Sequence, residues 1–162
     1  MSDSAAKERM QRYSDIIIEH SQFPHHHGSL EDPSHQGLGE NPFCGDRLTL
    51  QLDVNEHGVI EKAAVKSVGC AISMASASLL ATHLHGLTFS QAQELYEQVH
   101  RLVVEGLADG DLENREGELG ELAALAFAGR YPSRVKCATL PWHVLKHILS
   151  GDDSVANTET VL

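Results

Sequence analysis

Leu48, Leu50, Leu52 and Val54 alternate with Thr49, Gln51 and Asp53. That period of two is the pattern of a strand with one face buried. The turn-forming run Asn55-Glu56-His57-Gly58 follows, and Val59 to Val68 reads as a second strand, so the pair predicts an antiparallel hairpin. Immediately ahead of the first strand stands Asn41-Pro42-Phe43-Cys44-Gly45-Asp46. Pro42 fixes its own φ and holds Asn41 extended, while Gly45 permits angles that a larger residue resists. Cys44 and Asp46, two residues apart on such a turn, can point at one centre. A thiolate and a carboxylate converging there suit a Lewis-acidic metal such as zinc. An isolated C-x-D is more often an ordinary turn with a half-buried cysteine.

The rest of the chain changes that balance. It holds only two other cysteines, Cys70 and Cys137. Cys70 stands where the second strand ends and a helix, Ala71 to His85, begins. Its thiol there meets the positive end of a helix dipole, which favours the thiolate. Cys137 precedes Leu140, Pro141, Trp142, Leu145, Ile148 and Leu149, the spacing of a last helix with Pro141 in its first turn. Each cysteine therefore sits at a junction of elements, where chain segments at one edge of a sheet can meet. The spacings match no zinc-finger format.

Further helices are predicted from about Ala5 to His20, from Gln91 to about Leu107 after a Ser90 cap, and from about Glu118 to Ala128. Phe23 to Glu40, rich in Pro, Gly, His and Ser, reads as a long loop, and Asp109 to Gly120 as an acidic surface connection. The run His25-His26-His27 lies in the first of these; consecutive side chains diverge, so it is placed outside the site. Residues 1–150 form one domain, and the acidic tail 151–162 is expected to be disordered.

A formal net charge of −11 over 162 residues argues against a nucleic-acid face or an anionic membrane surface. No apolar run reaches transmembrane length, and Met1-Ser2-Asp3-Ser4 is unlike a signal peptide. An odd number of cysteines without an export signal points to a reducing compartment, so a cytoplasmic location is expected and the thiols read as ligands or nucleophiles.

Three blocks carry a resemblance: Asn41-Pro-Phe-Cys-Gly-Asp46, Gly69-Cys-Ala-Ile-Ser73 with its serine-alanine continuation, and Arg134-Val-Lys-Cys-Ala-Thr-Leu140. In this order they resemble the IscU/SufU family, the U-type (NifU N-terminal-like) proteins of iron–sulfur cluster assembly. The IscU scaffold branch carries a histidine immediately before the third cysteine, where this chain has Lys136. The segment between the second and third cysteines is also longer than in that branch. Both features are similar to the SufU branch.

The resemblance implies an α+β fold, with a small antiparallel sheet of about three strands and helices on one face. It also implies zinc bound by Cys44, Asp46, Cys70 and Cys137. Cys44 matches the family's sulfur acceptor, and Arg134 matches an arginine close to the metal. The implied role is to take persulfide sulfur from a SufS-type cysteine desulfurase and pass it to the Suf scaffold complex. Two alternatives stay open: an IscU-type scaffold holding iron or a [2Fe–2S] cluster on the same residues, and a structural zinc module that docks partners. Thiolates serve zinc and iron–sulfur clusters alike.

Overall fold

A computed structural model describes residues 2–106 and 109–158. Its sheet grows from the alternating run. Strand β2 (Asp46–Val54) turns Asp46, Leu48, Leu50 and Leu52 inward, so the period of two predicted its buried face. It pairs antiparallel with β3 (Ile60–Val68), with Leu50 opposite Val65 and Leu52 opposite Ala63. On its other side lies β1 (His35–Asn41), also antiparallel, with Asn41 opposite Asp46. The four residues Pro42 to Gly45 close that hairpin. Gly45 adopts the left-handed φ of 74° that the turn requires.

β1 falls inside a segment that reads as a loop from sequence. Its inward positions, Gly37 and Gly39, carry no side chain, so no apolar alternation marks it. Bare backbone is what the site of packing demands. A Cβ on Gly39 would overlap Val144, and one on Gly37 would lie 2.9 Å from both Val144 and Ile148. The last helix can therefore lie directly on the strand.

The sheet has four strands rather than three, in the order β3-β2-β1-β4. The fourth, β4 (Ala156–Asn157), lies parallel to β1 and makes the sheet mixed. It falls within the tail expected to be disordered, where Ala156 and Thr158 are buried; residues 159–162 lie outside the described residues. The opposite edge is covered by the loop after the first helix: Gly28 N–H donates to Val65 O and Val65 N–H to His26 O. Such cover blunts an edge that could otherwise pair with another chain. The three consecutive histidines part company here. His25 stacks near His20, His26 near His85, and His27 bridges to Val65.

Helices α1 (Ser2–Gln22), α2 (Ala71–His83) and α3 (Phe89–His100) match the expected periodicities within a few residues. Thr88, not Ser90, caps α3, in a capping box with Gln91. Beyond His100 the chain passes into a π-helical turn, Arg101–Glu105, and Leu107, the expected helix end, lies outside the described residues.

The acidic segment is not a simple connection. It forms α4 (Asp109–Leu119), followed by a 3-10 stretch, Gly120–Leu125, and the short α5 (Ala126–Gly129). Its acids face the basic side of α1. Arg9 pairs with Glu113 at 2.9 Å, Arg12 with Glu116 at 3.0 Å, and the Tyr13 hydroxyl donates to Glu116 at 2.6 Å.

α6 (Pro132–Ser150) starts earlier than the sequence suggests, with Pro132 in its first turn. Cys137 and Pro141 therefore both lie inside the helix, not at its start. α6 packs on β1 and β2, and against α2. Between α2 and α6 the serines do the joining: Ser76 Oγ donates to Ala138 O at 2.6 Å and accepts from Trp142 Nε1 at 3.0 Å. Small residues along α2 permit this approach beside Cys137.

His143 is 2 % exposed on α6, and its Nε2 has no hydrogen-bond partner. The Tyr96 hydroxyl stands 3.4 Å from its Nδ1, and His100, Lys146 and His147 add positive charge nearby. Burial, then these charges, push its pKa down to about 4. The folded value lies below that of an unfolded histidine, so the native state binds fewer protons between the two. Stability is fully present above about pH 6.5 and declines as pH falls toward 4. His143 alone should cost about 2 kcal/mol between pH 7.5 and pH 5. Urea midpoints at the two pH values check this: His143→Gln should show a markedly smaller drop than wild type.

Candidate metal centre

Three elements bring the site together. Asp46 is the first residue of β2 and shares the inward parity of Leu48, so its carboxylate points under the helices and is 1 % exposed. A buried carboxylate needs partners. Cys70 N–H donates to its Oδ1 at 2.9 Å and Ser73 Oγ at 3.2 Å; Asn41 Nδ2 donates to its Oδ2 at 3.1 Å. Oδ1 thus has both lone-pair directions filled, whereas Oδ2 keeps one for a metal.

Cys137 projects from α6 into the same space and is fully buried. Cys44, half-buried on the β1–β2 turn, lies 3.3 Å from it, sulfur to sulfur. Ligand atoms of Cys44, Asp46 and Cys137 all fall within 4.8 Å of one another. Cys70, the fourth ligand implied from sequence, is not part of that tight group, but its thiol hydrogen-bonds with Cys137. Three thiols and one carboxylate with a free lone pair are the donor set that zinc or an iron–sulfur centre takes.

The electrostatics follow from the crowding. Cys70 is held down to about 6, chiefly because Cys137 donates a hydrogen bond to its sulfur. The backbone N–H groups of Ser73 and Ile72, at the start of α2, act in the same direction. Cys137 is pushed up for the reciprocal reason, with burial adding to it. One proton is thus retained on the deepest sulfur, and a metal would displace it.

Arg134 is exposed at the start of α6 and faces all three cysteines. Its guanidinium hydrogen-bonds to Cys137, and the thiolates hold its pKa above the ordinary value. The carboxylate of Asp46 already has its own partners.

Three contributors carry no signal in the sequence. Asn41 bridges Asp46 and, at 3.6 Å, Cys137; its place before Pro42 had suggested only a stiff approach. Ser73, which in sequence is one of a run of small residues, donates to Asp46 Oδ1. Gly69 looked like an ordinary strand end, yet a Cβ there would overlap the Asp46 carboxylate and lie 2.8 Å from Ser73 Oγ. A glycine between the strand and Cys70 is therefore obligatory. Gly69→Ala should displace Asp46 and weaken zinc retention by at least about tenfold, roughly 1.4 kcal/mol. Competition with a chromophoric chelator measures this against wild type.

Comparison with known proteins fits this geometry. The NifU-like N terminal domain family matches residues 12–138. The chain is 34% identical over 137 residues to the iron–sulfur cluster assembly scaffold protein IscU of Streptococcus pyogenes, covering 85% of this chain and 82% of that protein. It is 32% identical over 136 residues to the zinc-dependent sulfurtransferase SufU of Bacillus subtilis, covering 83% and 86%. A crystal structure described as a putative iron–sulfur cluster assembly scaffold protein for the SUF system, from Fervidobacterium islandicum, superposes with a TM-score of 0.74. The identity there is 29%, over 83% of this chain and 94% of that one. The chain belongs to the NifU-like N-terminal domain family, the IscU/SufU family of iron–sulfur cluster assembly scaffolds.

Proposed function

We propose that this member of the family is a zinc-bound sulfur acceptor, with Cys44 receiving sulfane sulfur from the persulfide of a SufS-type cysteine desulfurase. The observation that carries the reading is the unequal access to the thiols. Cys137 is fully buried and Asp46 1 % exposed, whereas Cys44 and Cys70 are half-buried, and of these two it is Cys44 that sits on a turn, beside Phe43, which is 70 % exposed. Only a reachable thiol can meet a partner's persulfide. Lys136 supports the same reading, because it stands where the scaffold branch has histidine. The name of the Bacillus subtilis relative agrees with it.

Cys44, Asp46, Cys70 and Cys137 would hold zinc, which would supply redox-silent positive charge to keep the thiols deprotonated. The chain's residues do the rest. The Cys44 thiolate attacks the terminal sulfur of the donor persulfide, as in thiol–disulfide exchange. A new S–S bond forms to Cys44, the donor's S–S bond breaks, and the donor cysteine leaves as a thiolate. The proton of the terminal sulfur stays with it, and no net oxidation occurs. Arg134, at the mouth of the site, offsets the negative charge of the sulfurs while this happens. The downstream acceptor is the Suf scaffold complex.

A second reading, assembly of a [2Fe–2S] cluster on the same residues, is favoured by the names of the Streptococcus pyogenes and Fervidobacterium relatives. Desulfurase turnover distinguishes the transfer role. Added wild-type protein should stimulate sulfide or alanine production, and Cys44→Ala should reduce it to the rate of the desulfurase alone. Stimulation undiminished in Cys44→Ala would contradict the assignment. Arg134→Ala should keep its zinc yet lose about tenfold in stimulation, with Arg134→Lys recovering part. Zinc content and turnover, measured on the same preparations, test both halves.

A further inference from the structure

We propose that the C-terminal strand is part of the metal centre's positioning apparatus, acting through a hydrogen-bond relay from Thr158 to Asn41 to Asp46 and Cys137. This rests on the reading of those residues as metal ligands.

The relay begins at the sheet edge. β4 lies parallel to β1, with Ala156 beside Gly39 and Asn157 beside Glu40. Ala156 is fully buried against the strand, Thr158 N–H donates to Glu40 O at 3.3 Å, and Asn157 Nδ2 donates to Glu40 Oε1 at 3.2 Å. These contacts carry Thr158, 1 % exposed, to the inward side of β1. There its Oγ1 donates to Asn41 Oδ1 at 2.9 Å. Asn41 is itself fully buried.

The polarity of the relay is fixed by chemistry. An ionised carboxylate only accepts, so the Asn41 amide must present its NH2 group to Asp46 and its carbonyl elsewhere. The Thr158 hydroxyl is the donor that meets that carbonyl. With the carbonyl engaged, both amide hydrogens are directed into the site, one to Asp46 Oδ2 at 3.1 Å and one toward Cys137 Sγ at 3.6 Å. Oδ2 is the oxygen with a lone pair to spare. Thr158 thus anchors the far end of the group that aims the carboxylate. Removing the hydroxyl leaves a buried carbonyl without its donor, so the orientation that the carboxylate demands is held from one end only.

Thr158 is a positioning residue, and its test must separate orientation from strand packing. Thr158→Val keeps the shape and removes the hydroxyl; Thr158→Ser keeps the hydroxyl and removes the methyl. Zinc release to a chromophoric chelator should be about tenfold faster in Thr158→Val and within twofold of wild type in Thr158→Ser, with Thr158→Ala, the alternative should Val fail to fold, behaving as Val. The Co2+-substituted protein should show a shifted thiolate-to-metal absorption in Val and Ala and an unchanged one in Ser. In metal-free protein the Asn41 side-chain NH2 protons should exchange slowly in wild type and Ser, and fast in Val. Wild-type release rates and spectra in Val and Ala would overturn the proposal, as would equal impairment of Ser. A wild-type chain that takes up neither zinc nor cobalt would sink the proposed function, and the amide exchange would still decide the relay.

Discussion

The Asp46 carboxylate is the interaction on which the site depends. It is a buried anion whose solvation has been replaced by three donors from three places: Asn41 on β1, the backbone of Cys70 at the start of α2, and the hydroxyl of Ser73 one turn on. Removing a single partner from such a group leaves desolvated charge behind, which is why buried carboxylates are so strictly partnered. The same bonds tie the β1–β2 hairpin, which carries the Cys44 turn, to the start of α2, which carries Cys70. Ser76 then fixes α2 to α6 through Ala138 O and Trp142, and Cys137 on α6 reaches Cys44. Sheet, helix start and helix interior meet at one carboxylate.

Two devices allow elements to come this close. Gly37 and Gly39 strip one face of β1 so that Val144 and Ile148 of α6 lie on bare backbone. Gly69 clears the space that Asp46 fills. Away from the site the fold is held by ordinary means, a leucine-rich core and the ion pairs of α1 with α4.

Much of this was legible in the residues, and the exceptions have physical causes. β2 and β3 announced themselves through the alternation of Leu48, Leu50 and Leu52, and the inward aim of Asp46 follows from the same parity. Cys70 at a helix start was equally plain. β1 was not, because its inward positions are glycines whose role is to be absent. β4 is two residues long and gains its place by docking, which no local pattern records. Pro141 masked the true start of α6, since a helix that tolerates an internal proline through its surroundings looks, in sequence, like two pieces. The four cysteine and carboxylate positions could be picked out by type and block. The polar residues that aim them, Asn41, Ser73 and Thr158, could not, because amides and hydroxyls are common and only contact distinguishes these.

Access divides the four candidate ligands into a buried pair, Asp46 and Cys137, and a half-buried pair, Cys44 and Cys70. A buried foundation with a reachable thiol suits exchange with a partner, while a cluster would need all its ligands held at once. The central claim is that zinc, not an iron–sulfur cluster, is what this foundation holds. The most direct test is metal and acid-labile sulfide analysis of protein isolated anaerobically, with its absorption spectrum. The account predicts a colourless protein with about one zinc per chain and no sulfide. A brown protein with iron and sulfide in equal amounts, and zinc absent, would contradict it.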